Sequence, residues 1–273
     1  MTELFAPLDV HALLIQTGAA TAISVLLMFA VWLLSLRIRN AGIVDVAWAG
    51  CFTLLAWVYA LLGGGWLPRR LAIAAMVSLW SLRLTVHLWR RVAGMHPSED
   101  TRYEELRSRW SPNVGAKFLL FFEVQALLDV VLSVPYAISS LNARPSFRPV
   151  EIAGVILFLI AFLGEATADH QLSAFKRDPA NRGRTMRHGL WRYSRHPNYF
   201  FEWLIWVAWF VIAAGSPWGL VTLYCPLLML HFLLNVTGVP MAEAQSLKSR
   251  GDEYRSYQKA TSRFIPLPAR EQP

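Results

Sequence analysis

Long apolar segments alternate with short polar segments along most of the chain. Seven of the apolar segments are close to the ~20 residues that a helix needs to cross a hydrocarbon layer. They predict an all-α integral membrane bundle of about seven transmembrane helices, because a chain in lipid must satisfy its backbone groups internally. We place the predicted spans at residues 13–36, 41–62, 71–92, 116–140, 150–171, 198–215 and 219–236.

The polar connections between these spans predict the orientation of the chain. Of the 26 Lys and Arg residues, 21 follow the first, third, fifth and seventh spans, four lie in the other connections, and Arg83 lies inside a span. Cytoplasmic loops are enriched in Lys and Arg, so the C-terminus is expected to be cytoplasmic. With seven spans the N-terminus, which carries Glu3 and Asp9 but no Lys or Arg, is expected outside.

Composition supports a membrane protein over a soluble one. The 273 residues are 55% hydrophobic and include 12 Trp and 15 Phe, more apolar surface than one soluble core of this length buries. The net charge of +8 need not indicate nucleic-acid binding, since anionic lipids attract juxtamembrane cations by about 1 kcal/mol each. We expect a single membrane domain over 1–273, with membrane lipids as partners. Cys51 and Cys225 lie in apolar runs and predict no disulfide and no metal site.

Charged side chains inside the predicted spans mark candidate functional positions. A charge at mid-bilayer costs about 2.5–3.5 kcal/mol on insertion scales, so such residues are usually paired, water-facing or functional. Salt bridges that only join helices remain an alternative reading. The candidates are Asp45, Arg83, His87, Glu123, Asp129, Glu165, Asp169, Glu202 and His231.

The connection at residues 173–197 has the highest density of cations, with seven Lys or Arg and a single acid. It could serve only as a topology signal. However, arginine forks bind phosphate bidentately, and Gly183 and Gly189 allow close approach of the backbone. The helix predicted to begin near Asn198 adds free N–H groups and the positive end of its dipole, and Glu202 adds an acceptor one turn further in. Together these features predict a site for a phosphorylated cofactor.

Three segments of this region resemble the C-terminal domain of the steroid 5-alpha-reductase family. They are Gly-Glu-Ala-Thr-Ala-Asp-His-Gln-Leu-Ser-Ala-Phe-Lys at 164–176, Asn-Arg-Gly-Arg at 181–184, and Gly-Leu-Trp-Arg-Tyr-Ser-Arg-His-Pro-Asn-Tyr-Phe at 189–200, followed by Glu202. Residues 40–48, 99–103 and 254–266 are similar to a bacterial branch of unassigned function. We expect a cofactor-binding region over 150–266 and a bacterial inner-membrane location.

The resemblance implies a membrane reductase that binds NADPH from the cytoplasm. It would reduce a carbon–carbon double bond conjugated to a carbonyl in a steroid-like or other lipid. At the residue before Glu202, where the family commonly has glycine, this chain has Phe201, and Glu165 stands where characterised sterol reductases have asparagine. The positions carried over to the cofactor are Asp169, Lys176, His196, Asn198, Tyr199 and Glu202, with Arg182, Arg184 and Arg195 as phosphate contacts.

The same resemblance implies a proton donor beside the reacting double bond. Steroid reductases use a tyrosine on the third helix, supported by a glutamate on the second. Matching Arg83 to the family's basic residue puts His87 at the tyrosine-like position, and Asp45 is the acid of the second span. We predict His87 as the acid with Asp45 as its orienting partner, and Tyr103 as the alternate acid.

Two other functions fit parts of the sequence. Isoprenylcysteine and phospholipid methyltransferases, which use S-adenosylmethionine, share Arg-His-Pro-x-Tyr, here residues 195–199. They carry paired glutamates some forty residues later, where this chain has Glu243 followed by Ala244. A non-catalytic lipid-binding membrane protein is the other alternative, because His87 replaces the family's tyrosine.

Overall fold

A computed structural model describes residues 7–269 of the chain. Glu3 and Arg270, both used in the charge argument, lie outside the described residues. Short 3₁₀ segments at Pro179–Asn181, Gly189–Arg192 and Gly219–Leu223 and a π-helical segment at Phe232–Val236 join the helices. The α-helices are α1 Val10–Ile38, α2 Ile43–Leu62, α3 Leu67–Met95, α4 Thr101–Arg109, α5 Val114–Leu132, α6 Val134–Ser140, α7 Pro149–Arg177, α8 Pro197–Ala213, α9 Tyr224–His231, α10 Val239–Arg250 and α11 Asp252–Ala260.

The all-helical membrane class predicted from the sequence is confirmed. Within residues 7–269, six helical segments are long and apolar enough to cross a membrane, and they correspond to all the predicted spans except the sixth. The sixth corresponds to α8, whose 17 residues extend for about 25 Å, at the short end of the spanning range. The last long segment, Gly219–Arg250, continues past the predicted limit of 236. The predicted orientation of the termini stays a prediction.

The helix ends follow from local sequence chemistry. Asp9 and Asp100 cap α1 and α4, because their carboxylates accept from the free backbone N–H groups of Ala12 and Arg102 at 2.9 and 3.0 Å. The predicted fourth span divides at Ser133, two residues before Pro135, which has no N–H to continue the helical ladder. These local signals therefore set where α1 and α4 begin and where the fourth span is interrupted.

The chain divides into two compact units. The first consists of the chain up to Phe147 together with Gly215–Gly219, and the second of Arg148–Ala214 and the chain from Leu220 onward. In the first unit α2 packs against α1 and α3, and α1 packs against α5. A buried cluster there joins four of its helices through Met28, Ala41, Val44, Tyr103, Phe118, Phe122 and Ala126.

The second unit is built on the antiparallel pair α7 and α8. Apart from Gly215–Gly219, it contains the whole predicted cofactor region. The two helices approach closely at Gly154, where an added Cβ would lie 2.6 Å from Ile212 Cγ1 and 2.9 Å from the Ile212 backbone nitrogen. Small residues at such positions let helices pack closely in lipid. Since this packing fixes α7 against α8, it also fixes the polar side chains that both helices carry.

Replacement of Gly154 by alanine is expected to weaken this helix pair. The new methyl group would meet backbone, which cannot rotate away, and overpacking of this kind costs about 1–3 kcal/mol. Thermal unfolding of the detergent-purified protein should therefore begin at a lower temperature. Gly18→Ala is the matched control, since no atom lies within 4 Å of an added Cβ there. Equal melting of the two variants would contradict the close approach.

Candidate cofactor site

A basic hollow of ≈ 540 Å³ lies at the C-terminal end of α7. Its walls are the last turns of α7, the following connection and the end of α10. The volume lies within the range of small-molecule sites. Five cations and one acid are among the residues that line it: Lys176, Arg177, Arg182, Arg184, Arg250 and Asp178.

A tight turn places two of these arginines on the same rim. The Arg184 N–H donates to the Asn181 carbonyl at 3.0 Å, and Arg182 has φ −58° and ψ 126°. Gly183 follows with φ 79°. These angles define a type II turn, which requires a positive φ at its third residue and therefore favours glycine. The Asn-Arg-Gly-Arg motif thus encodes a turn that exposes an arginine on each side of the glycine.

The C-terminal helices hold this connection in place. The Thr185 N–H donates to Glu253 Oε1 at 3.1 Å, and Arg187 Nη2 donates to the Glu253 carbonyl at 2.6 Å. Arg250 Nη1 donates to the Arg184 carbonyl at 3.3 Å. Helices α10 and α11 are therefore part of the wall of the basic hollow.

A second polar group lies deeper in the α7–α8 pair. Asn198 Nδ2 donates to Asp169 Oδ1 at 3.3 Å, and Glu202 Oε1 accepts from Trp206 Nε1 at 3.0 Å. Asp169 and Glu202 are both buried. Asn198 Oδ1 is also buried, and it accepts no hydrogen bond from residues 7–269. The structure thus brings together Asp169 and Asn198, two of the residues predicted to bind the cofactor.

The polar group and the basic hollow are aligned along α7. Asp169 and Lys176 are seven residues apart, nearly two helical turns, so they lie on one face about 10 Å from each other. Tyr199, in the first turn of α8, stacks on His196 with ring centroids 5.6 Å apart. One elongated ligand could therefore contact both regions.

Arg195 and His196 have partners in the C-terminal helices. Arg195 Nε donates to Glu243 Oε1 at 2.7 Å, and its Nη1 donates to the carbonyls of Gln258 and Thr261 at 2.9 and 2.8 Å. His196 Nε2 lies 3.3 Å from the same Glu243 oxygen, and burial lowers the pKa of His196. The described bonds of Arg195 thus join the start of α8 to α10 and α11. Arg182 and Arg184, by contrast, line the hollow with exposed side chains.

The predicted proton-transfer residues lie in the first unit. Asp45 Oδ1 accepts from the Tyr103 hydroxyl at 2.5 Å, and Asp45 Oδ2 accepts from Arg102 at 2.8 Å and from Arg91 at 3.5 Å. Burial, followed by the Asp45 charge, raises the pKa of Tyr103 well above its usual value. The described contacts therefore pair Asp45 with the alternate acid Tyr103, and His87 lies on α3 in a partly buried position.

Residues 31–261 match the family described as "Protein of unknown function (DUF1295)". The chain belongs to this family. DUF1295 is one of the families of the steroid 5-alpha-reductase-like superfamily, so the sequence resemblance is confirmed at that level. The bacterial branch stays a prediction.

Two curated relatives of this DUF1295 chain have different descriptions. An uncharacterized protein of Schizosaccharomyces pombe is 28% identical over 264 residues, covering 86% of this chain and 75% of the relative. A probable O-methyltransferase of Ustilaginoidea virens is 28% identical over 103 residues, covering 38% of this chain and 36% of the relative. No solved structure matches.

The contribution of α10 to the hollow was missed by the sequence reasoning. Ser249 and Arg250 line the hollow, yet in the sequence Arg250 is one of several cations of a basic tail. The sequence signal for the end of α10 was Gly251, which follows Arg250 directly. In the structure Gly251 has φ 53° and ends the helix there. Among residues 7–269, no group of three or more His, Cys, Asp and Glu side chains is arranged to hold a metal ion.

Glu243→Ala is expected to destabilise the DUF1295 fold strongly. It leaves the guanidinium of Arg195, 9% exposed, without its carboxylate, and loss of one partner of a buried ion pair costs about 3–5 kcal/mol. Asp252→Ala removes a pair with Arg255 within α11, where both side chains are exposed, and should cost less than about 1 kcal/mol. Comparison of the two melting temperatures checks the assignment, and a similar small change in both would refute it.

Proposed function

We propose that this DUF1295 protein is a membrane-embedded reductase that uses NADPH to reduce a carbon–carbon double bond conjugated to a carbonyl in a lipid. The observation that carries the proposal is the alignment along α7 of the basic hollow with the buried Asp169–Asn198 pair. NADPH combines a phosphate-rich part with a neutral carboxamide ring, so it needs both kinds of surface.

The charge of the hollow favours a polyanionic cofactor. Five cations line it against one acid, and a phosphate monoester adds about −1.5 to −2 charge to the pyrophosphate of NADPH. Lys176, Arg182 and Arg184 would bind these phosphates, since they are exposed at the rim. S-adenosylmethionine has no phosphate and a cationic sulfonium, so the same cations would repel it.

The buried polar group suits the other half of the cofactor. Asn198 Oδ1, which lacks a hydrogen-bond donor among the described residues, could accept from a carboxamide N–H, and the carboxylates of Asp169 and Glu202 could accept from amide or hydroxyl groups. When bound, NADPH supplies a hydride. The role of the chain is to orient the cofactor at the buried end and to exclude water there.

For the proton we favour Tyr103 over His87. The Tyr103 hydroxyl donates to Asp45, and a tyrosine carries its proton at neutral pH. Asp45 would act as a positioning residue that fixes the direction of this hydroxyl. Its other oxygen, Oδ2, forms an ion pair with Arg102 Nη2 at 2.8 Å. This pair corresponds in residue type to the tyrosine and acid that the family resemblance implies.

A methyltransferase that uses S-adenosylmethionine is the second candidate. It is favoured by the match to a probable O-methyltransferase, which covers 38% of this chain at 28% identity. Its characteristic acidic position, Glu243, is bonded to Arg195 and approached by His196. The charge of the basic hollow argues for the reductase.

The cofactor choice can be tested by thermal shift on the detergent-purified protein. NADPH at 100 times its dissociation constant should stabilise the fold by about 2.7 kcal/mol, and S-adenosylmethionine should not. Asn198→Ala should abolish the NADPH shift because it removes the amide from the buried group. Asn113→Ala, at an exposed asparagine with no capping bond, should retain it. A shift with S-adenosylmethionine alone would move the proposal to methyl transfer.

The proton donor can be tested by consumption of NADPH with a steroid 4-en-3-one or a long-chain enone. Tyr103→Phe should keep the NADPH thermal shift and reduce turnover about 10²- to 10⁴-fold, the usual contribution of a positioned acid. His87→Phe should change turnover much less. A larger loss of turnover in His87→Phe than in Tyr103→Phe would restore His87 as the acid. Wild-type turnover in both variants would exclude either role.

A further inference from the structure

Arg250 faces the basic hollow from α10, whereas the cations predicted to contact phosphate come from α7 and the connection after it. Its guanidinium is held in place on three sides. Nη2 donates to Ser246 Oγ at 2.6 Å, Nη1 donates to the Arg184 carbonyl at 3.3 Å, and Cζ lies 5.4 Å from the ring centroid of Tyr254. A guanidinium fixed in this way loses little freedom when it binds a ligand.

The hydrogen bonds of Arg250 leave capacity for an anion. Arginine has five N–H donors, and the two described bonds use one on each terminal nitrogen. One N–H therefore remains on Nη1 and one on Nη2, which suits two oxygens of a phosphate group. The neighbouring Ser249 also lines the hollow, but its hydroxyl already donates to the Gln245 carbonyl of α10 at 2.9 Å, so the donors for an anion come from Arg250.

The positions of the cations around the hollow indicate which phosphate group Arg250 would bind. The buried Asp169–Asn198 pair lies about 10 Å along α7 from Lys176, so a ligand anchored at that pair enters the hollow past the α7 wall. The pyrophosphate would meet Lys176, Arg182 and Arg184 first. We propose that Arg250 binds the 2′-phosphate of NADPH and makes the protein prefer NADPH over NADH, an inference that rests on the proposed function.

The experiment measures the dissociation constants of NADPH and NADH on the detergent-purified full chain. Arg250→Gln should weaken NADPH binding about ten- to a hundred-fold, the usual effect of losing a charge-assisted hydrogen bond. NADH, which lacks the 2′-phosphate, should bind the variant about as well as the wild type. Arg255→Gln is the matched control, because Arg255 is an exposed arginine of α11 that pairs with Asp252 and does not line the hollow.

The ratio of the two constants within one sample separates coenzyme choice from damage to the fold. Partial unfolding of Arg250→Gln would weaken both coenzymes equally, and an unchanged ratio would overturn the inference even if both bind less well. Arg250→Lys keeps the charge without the fork and should give an intermediate ratio. If the wild type binds neither coenzyme, the proposed function itself fails. If it prefers NADPH and Arg250→Gln keeps that preference, only the role of Arg250 fails.

Discussion

The guanidinium group of Arg195 fixes the end of the second unit at which α8 begins. One side chain bonds the carboxylate of Glu243 on α10 and the backbone carbonyls of Gln258 and Thr261 in and after α11. Because Arg195 directly precedes the start of α8, these bonds attach the C-terminal helices to the helix that carries Asn198 and Glu202. The position of Arg250, and hence the wall of the hollow that α10 forms, depends on this attachment.

The basic hollow also has an energetic consequence. Several like charges around one cavity repel each other, and this repulsion is reduced only by screening or by a bound anion. The chain keeps them apart with fixed attachments: the type II turn for Arg182 and Arg184, and the Ser246 and Tyr254 contacts for Arg250. A cavity whose cations are held in place before binding suits an anionic ligand better than a mobile basic tail does.

The sequence predicts well what is encoded locally and poorly what depends on distant contacts. Long apolar runs give long helices, and Asn-Arg-Gly-Arg and Pro197 specify a turn and a helix start. By contrast, Arg195 looks like the other arginines of its connection, although its described partners lie 48, 63 and 66 residues away. Nor could spacing show that Asp45 contacts Tyr103, because the two residues lie on different helices, 58 positions apart.

Phe201, where the family resemblance implies glycine, fits against a glycine of the neighbouring helix. A phenylalanine beside Glu202 adds a large ring next to a buried carboxylate. In the structure that ring packs against Gly164 of α7, where an added Cβ would lie 2.5 Å from the ring carbons. The missing side chain at Gly164 makes room for the extra one at Phe201, while Glu202 stays buried and bonded to Trp206. The volume change is therefore absorbed between the two helices five residues before Asp169.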